Sequence, residues 1–266
     1  MSAEPLNARA FHPVYIAADA TLSYTHTAWA LYTSFAASFF TRTVRRVAVQ
    51  LDDTELLKAI EQYCKQELQH RAQMRAFTRI ALGGGYPGLE QRMEVLFRDF
   101  ERFMQRGDDR FRAGYMQGFY AYALPCALHM LQSEVYQHPR TQAAVGTLMA
   151  QHMGKLVAQR HLAFDLHRAL DGSHLERVRM GRYARHHLFG FVRDCSVIMS
   201  GADIGRHGQR CELRHLRRSP LAGGLRLARL QTLWPGHSPH RLHVPADLQA
   251  APPQPPLPQE PIKQPA

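Results

Sequence analysis

Residues 52–85 read DDTELLKAIEQYCKQELQHRAQMRAFTRIALGGG, and this stretch decides the fold. Asp52 or Asp53 can cap the start of a helix, and the three glycines from Gly83 predict its end. Between these signals, residues that suit a packed core recur at spacings of three and four, which predicts one buried helical face. That face consists of Ile60, Tyr63, Glu67, His70, Met74, Phe77 and Ala81.

Two polar residues, Glu67 and His70, stand on this otherwise core-forming face. Burying an ionised carboxylate without a partner costs several kcal/mol, so the pair needs a metal, a cationic or hydrogen-bonding group, or water in a cavity. A buried Glu-x-x-His is half of the ligand set of a carboxylate metal site. The alternative is that the two side chains pair with each other and with an arginine from a neighbouring helix.

The remaining sequence predicts further helices and no sheet, because no segment keeps the two-residue alternation of a strand for long. The predicted helices cover about residues 22–50, 88–106, 109–137, 140–170 and 174–200, in addition to the Glu67 helix. Pro125 is expected to kink or break the helix that contains it. We therefore predict an all-α protein, a bundle of five to six helices.

Composition divides the chain into four parts. Residues 1–21 form an N-terminal extension, and residues 22–204 form the helical bundle domain. Residues 205–234 are rich in Arg and Gly and are predicted to be irregular, with at most a short helix near residues 225–233. Residues 235–266 are dominated by proline and are predicted to be a disordered tail.

The charge balance favours no particular partner class. Lys plus Arg exceed Asp plus Glu by 33 minus 22, a net charge of +11 over 266 residues. Much of the excess lies in residues 206–210 and 214–218, which could meet nucleic acid or an anionic membrane. No RRM, KH or zinc-finger pattern accompanies the charge, so we favour a solvated surface and expect no specific nucleic-acid partner.

Cysteine spacing and hydropathy indicate a cytoplasmic protein. The four cysteines show no C-x-x-C spacing, which argues against a zinc ribbon or a disulfide framework and favours reduced thiols. No basic region followed by an apolar core opens the chain, as a secretory signal would require. The most apolar stretch, residues 28–40, is too short to span a bilayer, so no transmembrane segment is predicted.

Partners for Glu67 and His70 must come from other helices. On the helix predicted for residues 140–170, the inward face holds His152, Gln159 and either Lys155 or Leu156, and Lys155 is placed to neutralise Glu67. On the helix with Pro125, the best-placed residue is His129. The candidate metal ligands are therefore Glu67, His70, His129 and His152.

Several short runs carry a family resemblance. They are Phe39-Phe40-Thr41-Arg42-Thr43-Val44-Arg45-Arg46, Asp52-Asp53, Gln66-Glu67-Leu68-Gln69-His70, Ala127-Leu128 and Ala163-Phe164-Asp165. Together they resemble the bacterial predicted metal-dependent hydrolases, a helical family regarded as ferritin-like. The resemblance covers about residues 25–200. It implies a ferritin-like bundle, metal binding and hydrolase activity.

The chain departs from the family pattern where ligands are expected. Ala37 stands where the family carries a Glu, and Met74 where it carries a second His. Residues 127–130 read ALHM in place of Ala-Leu-Glu-His, and residues 155–159 read KLVAQ in place of a Glu-rich cluster ending in His. Two divalent cations held close together need several anionic ligands, so the resemblance implies a degenerate or absent di-metal site, a possible pseudoenzyme.

Two hypotheses follow. We favour a metal-free descendant with a binding or interaction role. The alternative is an enzyme with one divalent ion, Zn²⁺ for hydrolysis or Fe²⁺ for oxygen chemistry, held by Glu67, His70 and either His129 or His152. Glu134 or Asp165 could then act as a base. The small-molecule ligand is unknown, and a homo-oligomer is left open.

Two further pairs of ligand-type residues are four apart in sequence. They are Glu134 with His138 and His161 with Asp165. Both fall off the inward faces of their helices, so we interpret them as surface contacts between successive turns and not as ligand pairs.

Overall fold

The computed structural model describes residues 11–83, 85–207, 220–234, 237–245 and 248. Within these ranges the chain is helical and contains no strand, which confirms the prediction of an all-α protein. The helices are α1 (Ala20–Ala48), α2 (Thr54–Ala81), α3 (Leu89–Arg106), α4 (Asp109–Gln132), α5 (Ala143–Ala158), α6 (Leu162–Ala169), α7 (His174–His207) and α8 (Pro220–Leu233). This arrangement is compatible with a ferritin-like bundle, which stays a prediction.

Helix α2 follows the signals of its sequence closely. The Asp53 side chain accepts hydrogen bonds from the backbone N–H groups of Glu55 and Leu56, and the helix ends at Ala81, before the glycines. All seven residues of the predicted face are buried. The short turn after α1, together with contacts between the two helices, makes α1 and α2 antiparallel neighbours.

Helix α4 forms the centre of the fold. It packs against α1, α5, α6, α7 and α8. From Arg112 to Leu128 nearly every side chain is buried, so the helix has no polar face to turn to solvent. The helix continues through Pro125 to Gln132, so the expected break does not occur, and it ends earlier than residue 137.

The single helix predicted for residues 140–170 is two helices. Helix α5 ends at Ala158 and α6 begins at Leu162. No glycine or proline marks the break, so the sequence held no signal for it. The inward face is nevertheless as predicted, because His152, Lys155, Leu156 and Gln159 are all buried.

Helix α8 lies within the segment predicted to be irregular, and it packs closely on α4. A Cβ atom on Gly224 would lie 2.5 Å from the Cα atom of Cys126 and 2.6 Å from the carbonyl oxygen of Pro125. The two backbones can approach this closely only because Gly224 has no side chain. Gly224, one of the glycines for which an irregular segment was predicted, is therefore the residue that allows α8 to pack on α4.

Part of the region predicted as a disordered tail is ordered against the bundle. A 3₁₀ turn forms at Pro239–Arg241, and both Pro239 and Val244 are buried. The buried Arg177 guanidinium of α7 donates to the carbonyl oxygens of Trp234 and His237, at 3.0 and 2.8 Å. Residues 208–219, with most of both Arg-rich runs, and residues 249–266, with most of the prolines of the predicted tail, lie outside the described residues.

Candidate functional site

A small cavity opens beside the Glu67 face of α2, among α1, α2, α4 and α5. Its volume is about 30 Å³, which is enough for one or two water molecules. Its polar lining includes Thr33, Ser34, Glu67, His70, Arg71, Arg75, His152 and Lys155. Its apolar lining includes Ala37, Phe40, Met74, Phe119 and Leu156.

The centre of the site is a buried ion pair between α2 and α5. The Lys155 ammonium donates to Glu67 Oε1 at 2.6 Å, and the two side chains are only 7% and 4% exposed. Glu67 Oε2 has no hydrogen-bond partner among the described residues. Glu67 is therefore neutralised by a lysine of another helix, as the inward position of Lys155 predicted, and not by His70 or an arginine.

The two histidines of the site contact each other directly. His70 Nε2 lies 2.6 Å from His152 Nδ1. Burial, and then the nearby Lys155 ammonium, lowers the pKa of His152 to about 3 and holds the pKa of His70 well below its usual range. Both rings are thus neutral at pH 7, with one donating to the other. His152 Nε2 has no hydrogen-bond partner within the described part of the chain.

A second layer of polar contacts surrounds the ion pair. The Tyr120 hydroxyl donates to the Gln159 side-chain oxygen at 3.2 Å, and the Gln159 amide donates to Gln66 at 3.1 Å. Burial, and then the Glu67 carboxylate, raises the pKa of Tyr120 far above neutrality. Tyr120 is therefore a protonated donor. This chain of bonds fixes α2, α4 and the end of α5 around the cavity.

The donors in the cavity do not fit a metal in this arrangement. Zinc binds histidine nitrogen at about 2.0–2.1 Å, so two nitrogens that share a tetrahedral zinc lie roughly 3.3 Å apart, farther than the His70 and His152 atoms. The Lys155 ammonium already holds the Glu67 oxygen that a metal would need. Among the described residues, no three His, Cys, Asp or Glu side chains form a group able to hold a metal ion.

The structure places His129 away from these residues. His129 Nδ1 donates to the Pro125 carbonyl oxygen at 3.1 Å, and its ring lies against Gly223 of α8. It does not line the cavity. Of the four predicted ligands, Glu67, His70 and His152 come together and His129 does not.

The two candidate bases also lie elsewhere. Asp165 accepts hydrogen bonds from the His240 ring at 2.8 and 2.9 Å, and that ring stacks on His161 at 4.0 Å between centroids. The Asp165 side chain therefore contacts the C-terminal segment. Glu134 sits in the turn after α4, with a φ of 54°. Neither lines the cavity.

Arg71 and Arg75 line the cavity where it meets the surface, and neither is among the site residues predicted from the sequence. They are four residues apart on α2, so they project from the same side of the helix. Neither forms an ion pair with a described residue, although many other arginines of this chain do. The signal was present in the sequence, since Arg71 directly follows His70 and Arg75 directly follows Met74.

Comparison with known proteins identifies the family. No curated protein and no solved structure matches this chain. A family model described as predicted metal-dependent hydrolase matches residues 6–237, a longer region than the sequence resemblance covered. The chain belongs to the family of predicted metal-dependent hydrolases.

Proposed function

We propose that this chain is a divergent member of its family in which the metal centre has become a metal-free site for a small ligand. The observation that carries the proposal is the buried ion pair between Lys155 and Glu67. The lysine supplies within the protein the positive charge that a metal would bring to the same carboxylate.

Electrostatics supports a metal-free site. A divalent cation beside Glu67 would meet one carboxylate and one ammonium, so the charges of the protein would largely cancel and leave little attraction. The walls of the cavity offer little to add, because Ala37, Met74 and Leu156 occupy positions at which the family resemblance implies donors. The di-metal centre of the family pattern therefore lacks donors at these three positions.

The polar atoms without partners indicate what the site can bind. Glu67 Oε2 can accept a hydrogen bond, and His152 Nε2 can donate or accept one according to its tautomer. Arg71 and Arg75 add positive charge at the entrance while Lys155 and Glu67 cancel each other. The excess positive charge of the two arginines at the entrance therefore favours a small anion over a cation there.

A mononuclear metal hydrolase or oxygenase is the second candidate, with Glu67, His70 and His152 as ligands. It is favoured by one observation, that these three side chains line a single cavity. It requires the Lys155 ammonium to leave Glu67 and the two imidazole rings to move apart.

Elemental analysis decides between the two. The protein, purified without chelator and then incubated with Zn²⁺, Fe²⁺ or Mn²⁺, is expected to retain far less than one equivalent after desalting. A matched control is Glu61→Ala, an exposed glutamate on the same helix. One equivalent of metal that is kept by Glu61→Ala and lost in Glu67→Ala would overturn the metal-free proposal.

The binding role is tested with formate and acetate, small anions that can reach Arg71 and Arg75 at the entrance of the cavity. Chemical-shift changes are expected at the His70 and His152 ring nitrogens on titration, and none with ammonium or methylammonium. Ala37→Leu, which narrows the cavity, should remove the response while leaving the helical circular dichroism unchanged. A response that is equal for anions and cations would contradict an anion site.

Location and assembly remain part of the proposal. Cys64 and Cys195 are free thiols, as expected in the cytoplasm. No helix in the described ranges is long and apolar enough to cross a membrane. We retain the cytoplasmic assignment and leave a homo-oligomer open.

A further inference from the structure

A second concavity continues from the cavity onto the surface. It lies between α2 and α3, with α1 as its floor, and has a volume of about 370 Å³. It shares Ser34, Arg71 and Arg75 with the cavity beside Glu67, so the two spaces meet at the arginines. Its volume falls within the range of small-molecule sites. We call this concavity the α2–α3 groove.

The surface of the groove is largely apolar. Its hydrophobic residues come from all three helices, and they include Leu31, Phe35, Leu82, Met93 and Phe97. Phe97 is 51% exposed, and α2 and α3 do not pack against each other closely enough to cover it. Aromatic and aliphatic surface left open in a groove marks a place where an apolar partner binds.

Charge is distributed unevenly along the groove. Arg42, which also lines it, forms an ion pair with Glu101, so that part of the lining is neutral. Arg71 and Arg75 form no ion pair with a described residue. The groove therefore combines an apolar surface with two uncompensated guanidinium groups at the point where it meets the cavity.

We propose that the α2–α3 groove binds a single-chain amphiphile with a carboxylate head, such as a long-chain fatty acid. The head group lies between Arg71 and Arg75, and the hydrocarbon chain lies along the groove against Phe35 and Phe97. The proposal rests on the proposed function, because it names the ligand class of the same site. A guanidinium fork matches the two oxygens of a carboxylate, which favours this head group.

Isothermal titration with octanoate, decanoate and dodecanoate, each below its micellar concentration, tests the inference on the full-length protein after chelator treatment. Affinity should rise about two- to fourfold for each added methylene, because each buries apolar surface in the groove. Decyltrimethylammonium, with a chain of similar length and a positive head, should bind at least tenfold more weakly than decanoate.

Matched variants locate the site. The double variant Arg71→Gln, Arg75→Gln should lower decanoate affinity at least tenfold. Arg79→Gln changes an exposed arginine on the same helix outside the groove and should have no effect. Ser38→Phe, which fills the groove without removing charge, should lower the affinity for decanoate more than the affinity for acetate. Thermal melting of each variant checks that the fold is intact.

Three results would overturn the inference. They are equal affinity for acetate and dodecanoate, full decanoate affinity in the Arg71→Gln, Arg75→Gln variant, and tenfold tighter binding of decyl phosphate than of decanoate. The first of these would leave the small-anion site standing. Conversely, the protein could bind one equivalent of metal while its affinity still rises from octanoate to dodecanoate. That result would overturn the proposed function and support the groove.

Discussion

The ring planes of His70 and His152 are inclined by only 8°, and Nε2 of the first lies 2.6 Å from Nδ1 of the second. This contact needs one ring to donate and the other to accept, so protonating both would destroy it. Lys155, which is close to both rings, opposes a further positive charge. The interior of the bundle therefore depends on histidines that remain neutral.

We predict that the protein loses stability as the pH falls below 6.5. The folded pKa values of His152, about 3, and His26, about 4, lie below the ordinary value of 6.5, so the unfolded chain binds more protons at acid pH. Their stabilising contribution is complete above pH 6.5 and declines as the pH falls towards these folded pKa values, about 4 for His26 and about 3 for His152. Each residue should remove about 2 kcal/mol of unfolding free energy between pH 7 and 5.

Urea unfolding at the two pH values measures this effect. His152→Asn should reduce the difference between pH 7 and pH 5, whereas His186→Asn, at an exposed position on α7, should not. A difference that is unchanged in His152→Asn would show that its ring is protonated equally in the folded and unfolded states.

Replacing one partner of the ion pair between Lys155 and Glu67 should strongly lower the free energy of unfolding. Lys155→Met leaves a buried carboxylate without its cation, and Glu67→Leu leaves a buried ammonium without its anion. Each should lower the unfolding free energy by about 3–5 kcal/mol, and the double variant by much less than the sum. Chemical denaturation of the four proteins gives the coupling energy.

An exposed pair on the same helix provides the control for that cycle. Lys58 and Glu55 form an ion pair with both side chains largely exposed, and Lys58→Met should change stability within experimental error. Additive effects at Lys155 and Glu67 would contradict a coupled buried pair.

The close packing of α8 on α4 predicts that Gly224→Ala is destabilising. The added methyl group would meet backbone atoms of Pro125 and Cys126, which cannot move aside as a flexible side chain can. We expect a loss of about 1–3 kcal/mol. Gly201→Ala is the matched control, because a Cβ atom there meets nothing within 4 Å and should stabilise α7 by about 0.5–1 kcal/mol. Thermal and urea unfolding would detect both changes.

The Arg177 contacts predict that Arg177→Met releases the segment at residues 237–245. The carbonyl oxygens of Trp234 and His237 would lose their donor, and a hydrogen bond from a charged donor contributes about 1.5–3 kcal/mol. Hydrogen exchange in residues 237–245 should become faster. The exposed neighbour Arg179→Met should leave it unchanged, and equal exchange in the two variants would assign the ordering of this segment to other contacts.

The faces of the helices could be predicted from the sequence because burial repeats with the period of a helix. The seven residues from Ile60 to Ala81 and the inward face of α5 are where that period places them. Lys155 was placed to neutralise Glu67 because a buried carboxylate needs a partner, and only nearby inward residues can supply one.

The features that depend on contacts between distant segments could not be predicted. The gap between α5 and α6 contains no glycine or proline that would predict it. Helix α8 contains two glycines that allow close packing, but this effect exists only because α4 lies beside them. His129 suited a metal site by its position along α4 but faces Gly223. In the sequence, Arg71 and Arg75 resemble ordinary surface residues, and only the α2–α3 groove shows that they line one site.

The enclosure of α4 also constrains how the chain folds during its synthesis. Among the described residues, α8 is one of the helices that cover this apolar helix, and it begins at Pro220 in a chain of 266 residues. While the ribosome is still making residues 133–219, the surface of α4 that contacts α8 remains open to water and to other nascent chains. Packing of the α4 surface that contacts α8 must therefore wait for α8, and a ribosome stalled before Pro220 would present exposed apolar surface that chaperones should recognise.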